Sequence, residues 1–266
     1  MISVLIRAGD DRVSSCIASI KKTSPTSKIL ASLVPNKKLE KEVKKYNIKY
    51  CVVPRKSGSM TTNKGLALVK TNKVLITDSD TIFDKNCISL LDNALNKYEV
   101  VKAHIIFQNN GSLQSVLVAN LRTYFNSKNQ KMYTPGLAFK MSIKRKIGGY
   151  YFDNKVAWSD DSEFSDRVEV NGLKTYLEKK ANMFHPPVRI GHDLASAFLF
   201  GAKKPETKTL PEIISKRLIR YSEILKNFGV LTLIYGLIWH GFFDFGKLTK
   251  HMGKTGKKIQ DYFWKL

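Results

Sequence analysis

Two carboxylates, one residue apart, follow a short apolar run in the first third of the chain. The run is Lys73–Thr77, and the acidic pair is Asp78 and Asp80. Residues i and i+2 of a strand face the same side, and a turn that begins between them brings both carboxylates towards one cation. Oxygen ligands of this kind suit Mg²⁺ or Mn²⁺ that carries a phosphorylated ligand. The spacing therefore predicts a site for a divalent cation and a diphosphate, although an isolated Asp-x-Asp more often only ends a strand.

The segments around this pair alternate between strands and helices. Up to residue 107 the predicted strands are Ile2–Ile6, Lys28–Val34, Lys49–Val53, Lys73–Thr77 and Val100–Phe107. The predicted helices between them are Arg12–Lys21, Lys37–Tyr46, Thr61–Val69 and Asn86–Asn96. Alternation at this spacing predicts βαβ units and a largely parallel sheet. Because ligands bind at the carboxyl ends of such strands, one crevice is expected to collect Asp10, residues 54–59 and the acidic pair.

A second acidic group lies in the later part of the chain. After residue 107 we predict a helix at Leu113–Tyr124 and a strand at Met132–Lys140. A further helix is expected to begin at Ser159 or Asp160 and to end at Asn171-Gly172. Its first turn holds three carboxylates, namely Asp160, Asp161 and Glu163. Acidic residues are also common there without any catalytic role, because the helix dipole stabilises them.

Composition limits the class of protein. A chain of 266 residues with 43% apolar residues can bury a sizeable core. Its 45 Lys and Arg outnumber its 22 Asp and Glu, and the net charge of +23 favours nucleic acid, an anionic membrane or phosphorylated substrates as partner. Cys16, Cys51 and Cys87 lack the paired spacing of a zinc site, which predicts reduced thiols and a cytoplasmic compartment. The apolar run Met1–Ile6 is too short for a signal peptide and is expected to form the first strand.

The tail from about residue 205 has a different pattern. Glu212–Phe228 predicts a basic amphipathic helix, and Phe228–Phe243 is apolar nearly all round. A helix of that second stretch is roughly 24 Å long, shorter than a hydrocarbon core of about 30 Å. Basic residues flank it on both sides, so we expect it to lie in the interface of an anionic cytoplasmic leaflet, or to enter and return. A buried C-terminal helix and a dimer contact are the alternatives.

The order and spacing of these motifs resemble the inverting glycosyltransferases of family 2, which have the GT-A fold. The resemblance covers roughly residues 2–186 and is carried by Ile2–Asp11, Ser57–Leu66, Asp78-Ser79-Asp80, Pro135–Phe139, Ile147–Tyr150 and Trp158–Phe164. It implies an α/β GT-A domain over residues 1–204, Rossmann-like, with a mainly parallel central sheet flanked by helices. Residues 205–266 would then form a C-terminal amphipathic and hydrophobic helical tail that associates with membranes.

The resemblance also implies roles for individual residues. Mn²⁺ or Mg²⁺ is expected at Asp78, Asp80 and His185. The acceptor's proton is expected to pass to Asp161, with Asp160 and Glu163 as alternatives. The nucleotide sugar is expected to contact Arg7, Gly9, Asp10, Asn36, Asn63, Lys64 and Asp78. The second predicted strand lacks the acidic pair that reads the nucleobase in most family members, so UDP, GDP and dTDP donors all remain open.

The expected activity is metal-dependent sugar transfer with inversion, of the hexosyltransferase type. The acceptor would be a lipid-linked or membrane-proximal hydroxyl at the cytoplasmic face of the membrane. A polyprenyl phosphate is the alternative acceptor, and its oxygen is already anionic and needs no base. No nucleic-acid motif is recognisable, so a basic nucleic-acid-binding protein is a weaker alternative and no nucleic-acid partner is expected. An inactive scaffold, a nucleotidyltransferase and a homo-oligomer also stay open.

Overall fold

The three-dimensional structure is a computed structural model of the chain. It describes residues 1–9, 13–54, 58–128, 131–156, 159–203 and 210–264. These residues form two compact units. We call Met1–Ile106 together with Ser127–Pro186 the sheet unit, and Phe107–Asn126 together with Pro187–Leu266 the helical unit. The helical unit thus contains more of the chain than the predicted tail, whose start at residue 205 stays a prediction.

The described residues form the following elements. The strands are β1 (Ser3–Ala8), β2 (Lys28–Leu33), β3 (Lys49–Val52), β4 (Lys73–Asp78), β5 (Ile82–Phe83), β6 (Val100–Phe107), β7 (Leu137–Lys140) and β8 (Thr175–His185). The helices are α1 (Ser14–Thr23), α2 (Lys37–Lys45), α3 (Gly58–Leu66), α4 (Cys87–Lys97), α5 (Leu113–Lys128), α6 (Ile143–Lys146), α7 (Asp160–Val170), α8 (Ile190–Lys203), α9 (Leu210–Thr249) and α10 (Gly253–Trp264).

One sheet organises the sheet unit, with strand order β3-β2-β1-β4-β7-β6-β8-β5. Strands β1 to β4 pair in parallel, whereas β7 pairs antiparallel with both β4 and β6. Apolar clusters cover both faces of β1, with Val4 and Ile6 on one face and Leu5 on the other. This explains the unbroken apolar run of β1, because a central parallel strand is buried on both sides. The α/β class and the early βαβ order are as predicted.

The predicted strand Met132–Lys140 is wrong in its first half, since only Leu137–Lys140 is a strand. Pro135 has no backbone N–H to donate to a neighbouring strand, and Gly136 has a φ of 81°. Residues 131–136 therefore form a loop that leads into β7. Strands β5 and β8 and helix α8 were not predicted at all.

Helix α9 doubles back on itself inside the helical unit. Gly229 interrupts it with a φ of 82°, a left-handed value that glycine adopts without strain. Arg217 donates two hydrogen bonds of 2.7 Å to Asp244, and the rings of Tyr221 and His240 lie 5.3 Å apart. An unbroken helix would hold Arg217 and Asp244 about 40 Å apart at ~1.5 Å per residue. The predicted basic helix and the apolar helix are therefore the two arms of an antiparallel hairpin.

The second arm of this hairpin has a buried side and an exposed apolar side. Its buried side includes Tyr235, Trp239 and His240. Gly246 lets the arm lie against α8, because a Cβ there would come within 2.0 Å of the Phe198 carbonyl oxygen. An 18-residue window within Ser215–Thr249 has a mean hydropathy of 1.4, so the helix is long and apolar enough to cross a membrane by length and composition alone. The hairpin contacts show that it is not one continuous rod.

Candidate active site

The turn after β4 is held by buried hydroxyl and thiol groups. The Thr81 hydroxyl donates to the Asp78 carbonyl oxygen over 2.9 Å and lies 2.6 Å from the Thr77 hydroxyl. The Cys16 thiol also donates to this carbonyl oxygen, over 3.6 Å. Burial raises the pKa of Cys16 to about 12, so the group stays a neutral donor. The acidic pair therefore emerges from a fixed turn.

Arg7 connects this turn to the loop before β7. Arg7 pairs with Asp78 in the register of β1 and β4, and its Nε and Nη2 donate to Asp78 Oδ1 over 3.0 and 2.6 Å. Its Nη2 also donates to the Thr134 hydroxyl over 2.8 Å. Burial alone would lower the pKa of Arg7, but the carboxylates of Asp78, Asp160 and Asp161 outweigh it and raise the pKa. The guanidinium thus stays charged between the two predicted acidic groups.

Asp161 lies at the other end of this connection. It is in the first turn of α7, which follows Ser159 in a left-handed conformation with φ 66°. The Thr134 backbone N–H and hydroxyl donate to Asp161 Oδ2 over 3.1 and 3.2 Å. Left-handed backbone at a non-glycine residue is often found at functional sites. One continuous chain of polar contacts therefore joins Asp78, Arg7, Thr134 and Asp161.

The two neighbouring carboxylates of α7 are electrostatically strained. Asp160 is 8% exposed, and its Oδ2 has no hydrogen-bond partner among the described residues. Burial and the adjacent Asp161 raise the pKa of Asp160 to about 6. Burial also raises the pKa of Asp161, although Arg7, the Thr134 hydrogen bonds and Lys102 act in the opposite direction. Carboxylates whose pKa values are raised towards neutrality are typical of proton-transfer sites.

Asp80 and His185 also come together. His185 Nε2 lies 3.7 Å from Asp80 Oδ2, and both side chains are largely buried. His185 Nδ1 lies 2.8 Å from the carbonyl oxygen of Pro186. A carbonyl oxygen can only accept, so Nδ1 carries the proton. In the neutral imidazole Nε2 then presents its lone pair, and this side faces the carboxylate.

The remaining predicted ligands have other contacts or lie apart. The Asn36 side-chain oxygen caps α2 by accepting from the N–H groups of Lys38 and Leu39, which leaves only its amide N–H₂ group for a nucleobase. Asn63 bonds the backbone of Phe152 through both ends of its side chain. Its contribution to donor binding would therefore run through that loop.

Four more predicted residues lie in neighbouring segments. Lys64 is exposed, and a side chain added at Gly9 would meet open space, so both positions are accessible. Asp10 lies outside the described residues. Glu163, an alternative base, is bound by Arg167, which also donates to the carbonyl oxygens of Ile147 and Tyr151. That network gives Glu163 a structural role.

Two residues of the site were missed from the sequence. Thr134 is the contact between Arg7 and Asp161, and only its place before Pro135-Gly136 marks it as a loop residue. Lys102 lies fully buried in β6. The sequence does mark Lys102 as unusual, because it lies inside the apolar run Val100–Ile106 and a buried lysine is costly unless it is paired.

Comparison with solved structures relates the fold to proteins of known ligand. A structure of S. aureus TarS matches with a TM-score of 0.53 at 15% identity over 95% of this chain. TarS 1–349 in complex with UDP-GlcNAc matches with a TM-score of 0.54 at 17% identity, and its complex with UDP with 0.53 at 14%. The chain spans 44% of the first of these chains. No protein-family model and no curated protein sequence matches.

These comparisons confirm the fold class. The chain has a GT-A-like α/β architecture with a curled sheet flanked by helices and an added apolar C-terminal helix. Identities of 14 to 17% show the fold alone, and the function has to be argued from the residues described above.

Proposed function

We propose that this chain is a glycosyltransferase that uses a nucleotide sugar, with UDP sugars as the first donors to test. The observation that carries this proposal is the chain of contacts from Asp78 through Arg7 and Thr134 to Asp161. These contacts join the acidic turn after β4 and the first turn of α7 in one polar network, which supports a diphosphate site and a base that act together. The agreement in fold with structures that hold UDP-GlcNAc and UDP supports the same choice of donor.

Arg7 is the residue that we assign to the donor side. Its guanidinium has two donors on Asp78 and stays charged, so it orients that carboxylate towards the nucleoside and adds positive potential near the diphosphate. Lys64 is exposed at the end of α3, where it would add a second positive charge. Gly9 leaves room for close approach of the nucleoside. These features favour the departure of a negatively charged leaving group.

Asp161 is assigned as the general base. Thr134 fixes its Oδ2 with two donors, so Oδ1 is the oxygen available to take a proton from an acceptor hydroxyl. Direct displacement at the anomeric carbon, with the base and the leaving group on opposite faces, inverts the configuration. Asp160 is buried beside it and raises the proton affinity of the pair through like-charge repulsion.

The residues present fit a divalent cation at Asp80 and His185. A histidine that donates one ring N–H to a carbonyl oxygen and turns the other nitrogen towards a carboxylate has the arrangement common to metal-binding histidines. The described residues contain no group of three His, Cys, Asp or Glu side chains suited to a metal, so the donor and water would complete the ligand set. Mn²⁺ or Mg²⁺ would supply positive charge to the diphosphate when bound.

The helical unit supplies the proposed contact with a membrane. The second arm of the α9 hairpin exposes a stripe of large apolar side chains, each between 41 and 58% exposed: Val230, Leu231, Ile234, Leu237, Ile238, Phe245 and Leu248. Lysines border this arm on both sides along the chain, with Lys216 and Lys226 in the first arm and Lys250 and Lys254 after the second. Apolar side chains with a basic border suit the interface of an anionic leaflet. This surface supports a lipid-linked or membrane-proximal hydroxyl as the acceptor, which we propose is used at the cytoplasmic face of the membrane.

A panel of sugar nucleotides tests the activity. Purified protein is incubated with UDP, GDP and dTDP sugars, with Mn²⁺, Mg²⁺ or a chelator, and with or without membrane lipids. Release of free nucleotide is then scored. We expect one donor, UDP-linked, to be turned over with metal and to be stimulated by lipid. Absence of both binding and turnover of every donor would show that the enzymatic proposal is wrong.

Vesicle sedimentation tests the membrane contact. The double variant Ile234→Lys/Ile238→Lys is compared with Val170→Lys, which alters an apolar residue of the sheet unit that is 85% exposed. Burying one large apolar side chain contributes about 1.5 to 3 kcal/mol. The double variant should therefore lose about tenfold or more in binding to vesicles of phosphatidylglycerol and phosphatidylcholine, and the control should bind like the natural chain. Equal binding by all three proteins would contradict this contact.

A further inference from the structure

A charged side chain lies inside the sheet unit, close to the candidate base. Lys102 is 0% exposed, and its Nζ lies 5.3 Å from the centre of the Tyr133 ring. Alternation along β6 puts its side chain on the same face as Val100, in the cluster that also contains Phe164 of α7. This is the face that α7 covers. Burying an ammonium group costs several kcal/mol unless an opposite charge compensates for it.

Asp161 lies in the neighbourhood of Lys102, because the Lys102 ammonium group lies beside Tyr133 and the next residue, Thr134, donates to Asp161. Burial lowers the pKa of Lys102 to about 8, and Asp161 acts against this shift. Lys102 is therefore mostly protonated at pH 7. Among the other charged groups, Arg7 also favours an ionised Asp161 and Asp160 opposes it. Asp78 is compensated by Arg7, and Tyr133 is neutral because burial raises its pKa to about 12.

We propose that Lys102 is a positioning residue for Asp161: its buried ammonium group keeps that carboxylate ionised and turned towards the acceptor. The role of Asp161 as base rests on the function proposed above, whereas the pairing itself does not. Arg7 contacts Thr134, which donates to Asp161, whereas Lys102 acts on Asp161 electrostatically from β6, beside the Tyr133 ring. The base thus has a fixed counter-charge that does not depend on whether a donor is bound.

The consequence for pH dependence follows from the charge. Removing the ammonium group raises the pKa of Asp161, because a nearby positive charge favours the carboxylate. A base works only when ionised, so the acid limb of the pH–rate profile should move to higher pH by about one unit. On this acid limb, well below the pKa, a shift of about one unit lowers the rate of the variant about tenfold relative to the natural chain at the same pH.

The experiment compares Lys102→Met and Lys102→Arg with the natural chain. Methionine keeps the length of the side chain without its charge, and arginine keeps the charge. Lys73→Met is the control, because Lys73, at the start of β4, is a part-buried lysine that pairs with Asp92 of α4, away from Asp161. The pKa of Asp161 is read from ¹³C NMR of the aspartate carboxyl carbons, assigned with Asp161→Asn. In parallel, UDP release from UDP-GlcNAc is followed from pH 5 to 9.

The expected result is a rise of about one unit or more in the pKa of Asp161 in Lys102→Met, the same shift of the acid limb, and neither change in the arginine and control variants. An unchanged pKa of Asp161 in a Lys102→Met protein with a native NMR spectrum would overturn the inference. If Lys102→Met and Lys102→Gln both fail to fold, Lys102 serves stability alone and the inference is also overturned. A shifted pKa with no UDP release from any variant would instead leave the pairing intact and count against the proposed function.

Discussion

Each unit of the molecule buries a carboxylate, but the two carboxylates differ in their hydrogen-bond partners. In the helical unit Asp193 is 0% exposed, Arg122 binds its Oδ1, and the Tyr235 hydroxyl donates to its Oδ2 over 2.5 Å. In the sheet unit Asp160 is 8% exposed, one of its oxygens has no hydrogen-bond partner among the described residues, and another acid adjoins it. Burial is similar, but the set of partners differs.

The difference shows which buried charge is available for chemistry. A carboxylate with both oxygens bound by fixed donors is held in place and ties α5, α8 and α9 together. A carboxylate next to a second acid, with its pKa raised to about 6, exchanges protons near neutral pH. The partner set, more than the degree of burial, therefore separates a structural acid from a candidate catalytic one. Four substitutions test this difference between the two carboxylates.

The largest effect is expected for Asp161→Asn. Loss of the base should lower the rate of UDP release in the presence of acceptor lipid by roughly 10² to 10⁴-fold, because general bases contribute about that much. UDP binding, measured by calorimetry, should be retained. Asp166→Asn is the matched control on the same helix, where Asp166 pairs with Lys131 at the surface. Full activity of Asp161→Asn would contradict the role of Asp161 and would favour a phosphate acceptor.

Asp193→Ala should act on stability. It leaves Arg122 without its buried partner, and breaking a buried pair of this kind costs about 3 to 5 kcal/mol of unfolding free energy. Urea unfolding followed by circular dichroism measures this loss. Asp92→Asn breaks the part-exposed pair with Lys73 and should cost much less, about 1 kcal/mol or below. Equal losses in the two variants would mean that the Asp193 network has no special structural role.

Arg7→Met tests the connection between the two acidic groups. The variant removes both donors from Asp78 and one from Thr134, so kcat/KM for the donor should fall about 10 to 100-fold, as for loss of charge-assisted hydrogen bonds worth about 1.5 to 3 kcal/mol. Arg7→Lys should recover only part of the rate, because an ammonium group cannot form the same fork. A rate within twofold of the natural chain for Arg7→Met would contradict this assignment.

The smallest effect is expected for Asp160→Asn, and its sign is stabilising. The folded-state pKa of Asp160 lies near 6, above its ordinary value of 3.8, so folding favours the protonated form. Its contribution to stability is full below about pH 4 and is lost as the pH rises through about 6. The variant should thus be about 1 kcal/mol more stable than the natural chain at pH 7 and equally stable at pH 4, measured by urea unfolding. If Asp160→Asn were less stable than the natural chain at pH 7, the ionised Asp160 would not destabilise the folded state as we argue.

Local sequence patterns predicted much of the secondary structure. Periodicity gave the early strands and helices, the start of α7 at Asp160, and the change in character near Phe228 that the Gly229 break marks. Each of these depends on residues within about one helical turn of each other. The same holds for the exposed lysine at the end of α3.

Local sequence patterns could not predict which residue each charged side chain contacts. Arg7 meets Thr134 across 127 positions, and Arg122 meets Asp193 across 71, so only the folded chain brings them together. Strand β8 has little alternation between buried and exposed residues and carries several charges, so it contains no apolar run that predicts a strand. The Asn36 side chain was expected at the nucleobase and is found capping α2, a role that Asn plays at many helix starts.

The proposed function depends most on the acidic turn after β4 binding a nucleotide diphosphate. Calorimetric titration of the protein with UDP in the presence of Mn²⁺ tests this binding most directly. The natural chain is compared with Asp80→Asn and with Asp84→Asn, an exposed acid four residues further along. We expect Mn²⁺-dependent UDP binding by the natural chain and by Asp84→Asn, and its loss in Asp80→Asn. Absence of UDP binding by the natural chain, or equal binding by all three proteins, would contradict the proposal that this turn holds a nucleotide diphosphate.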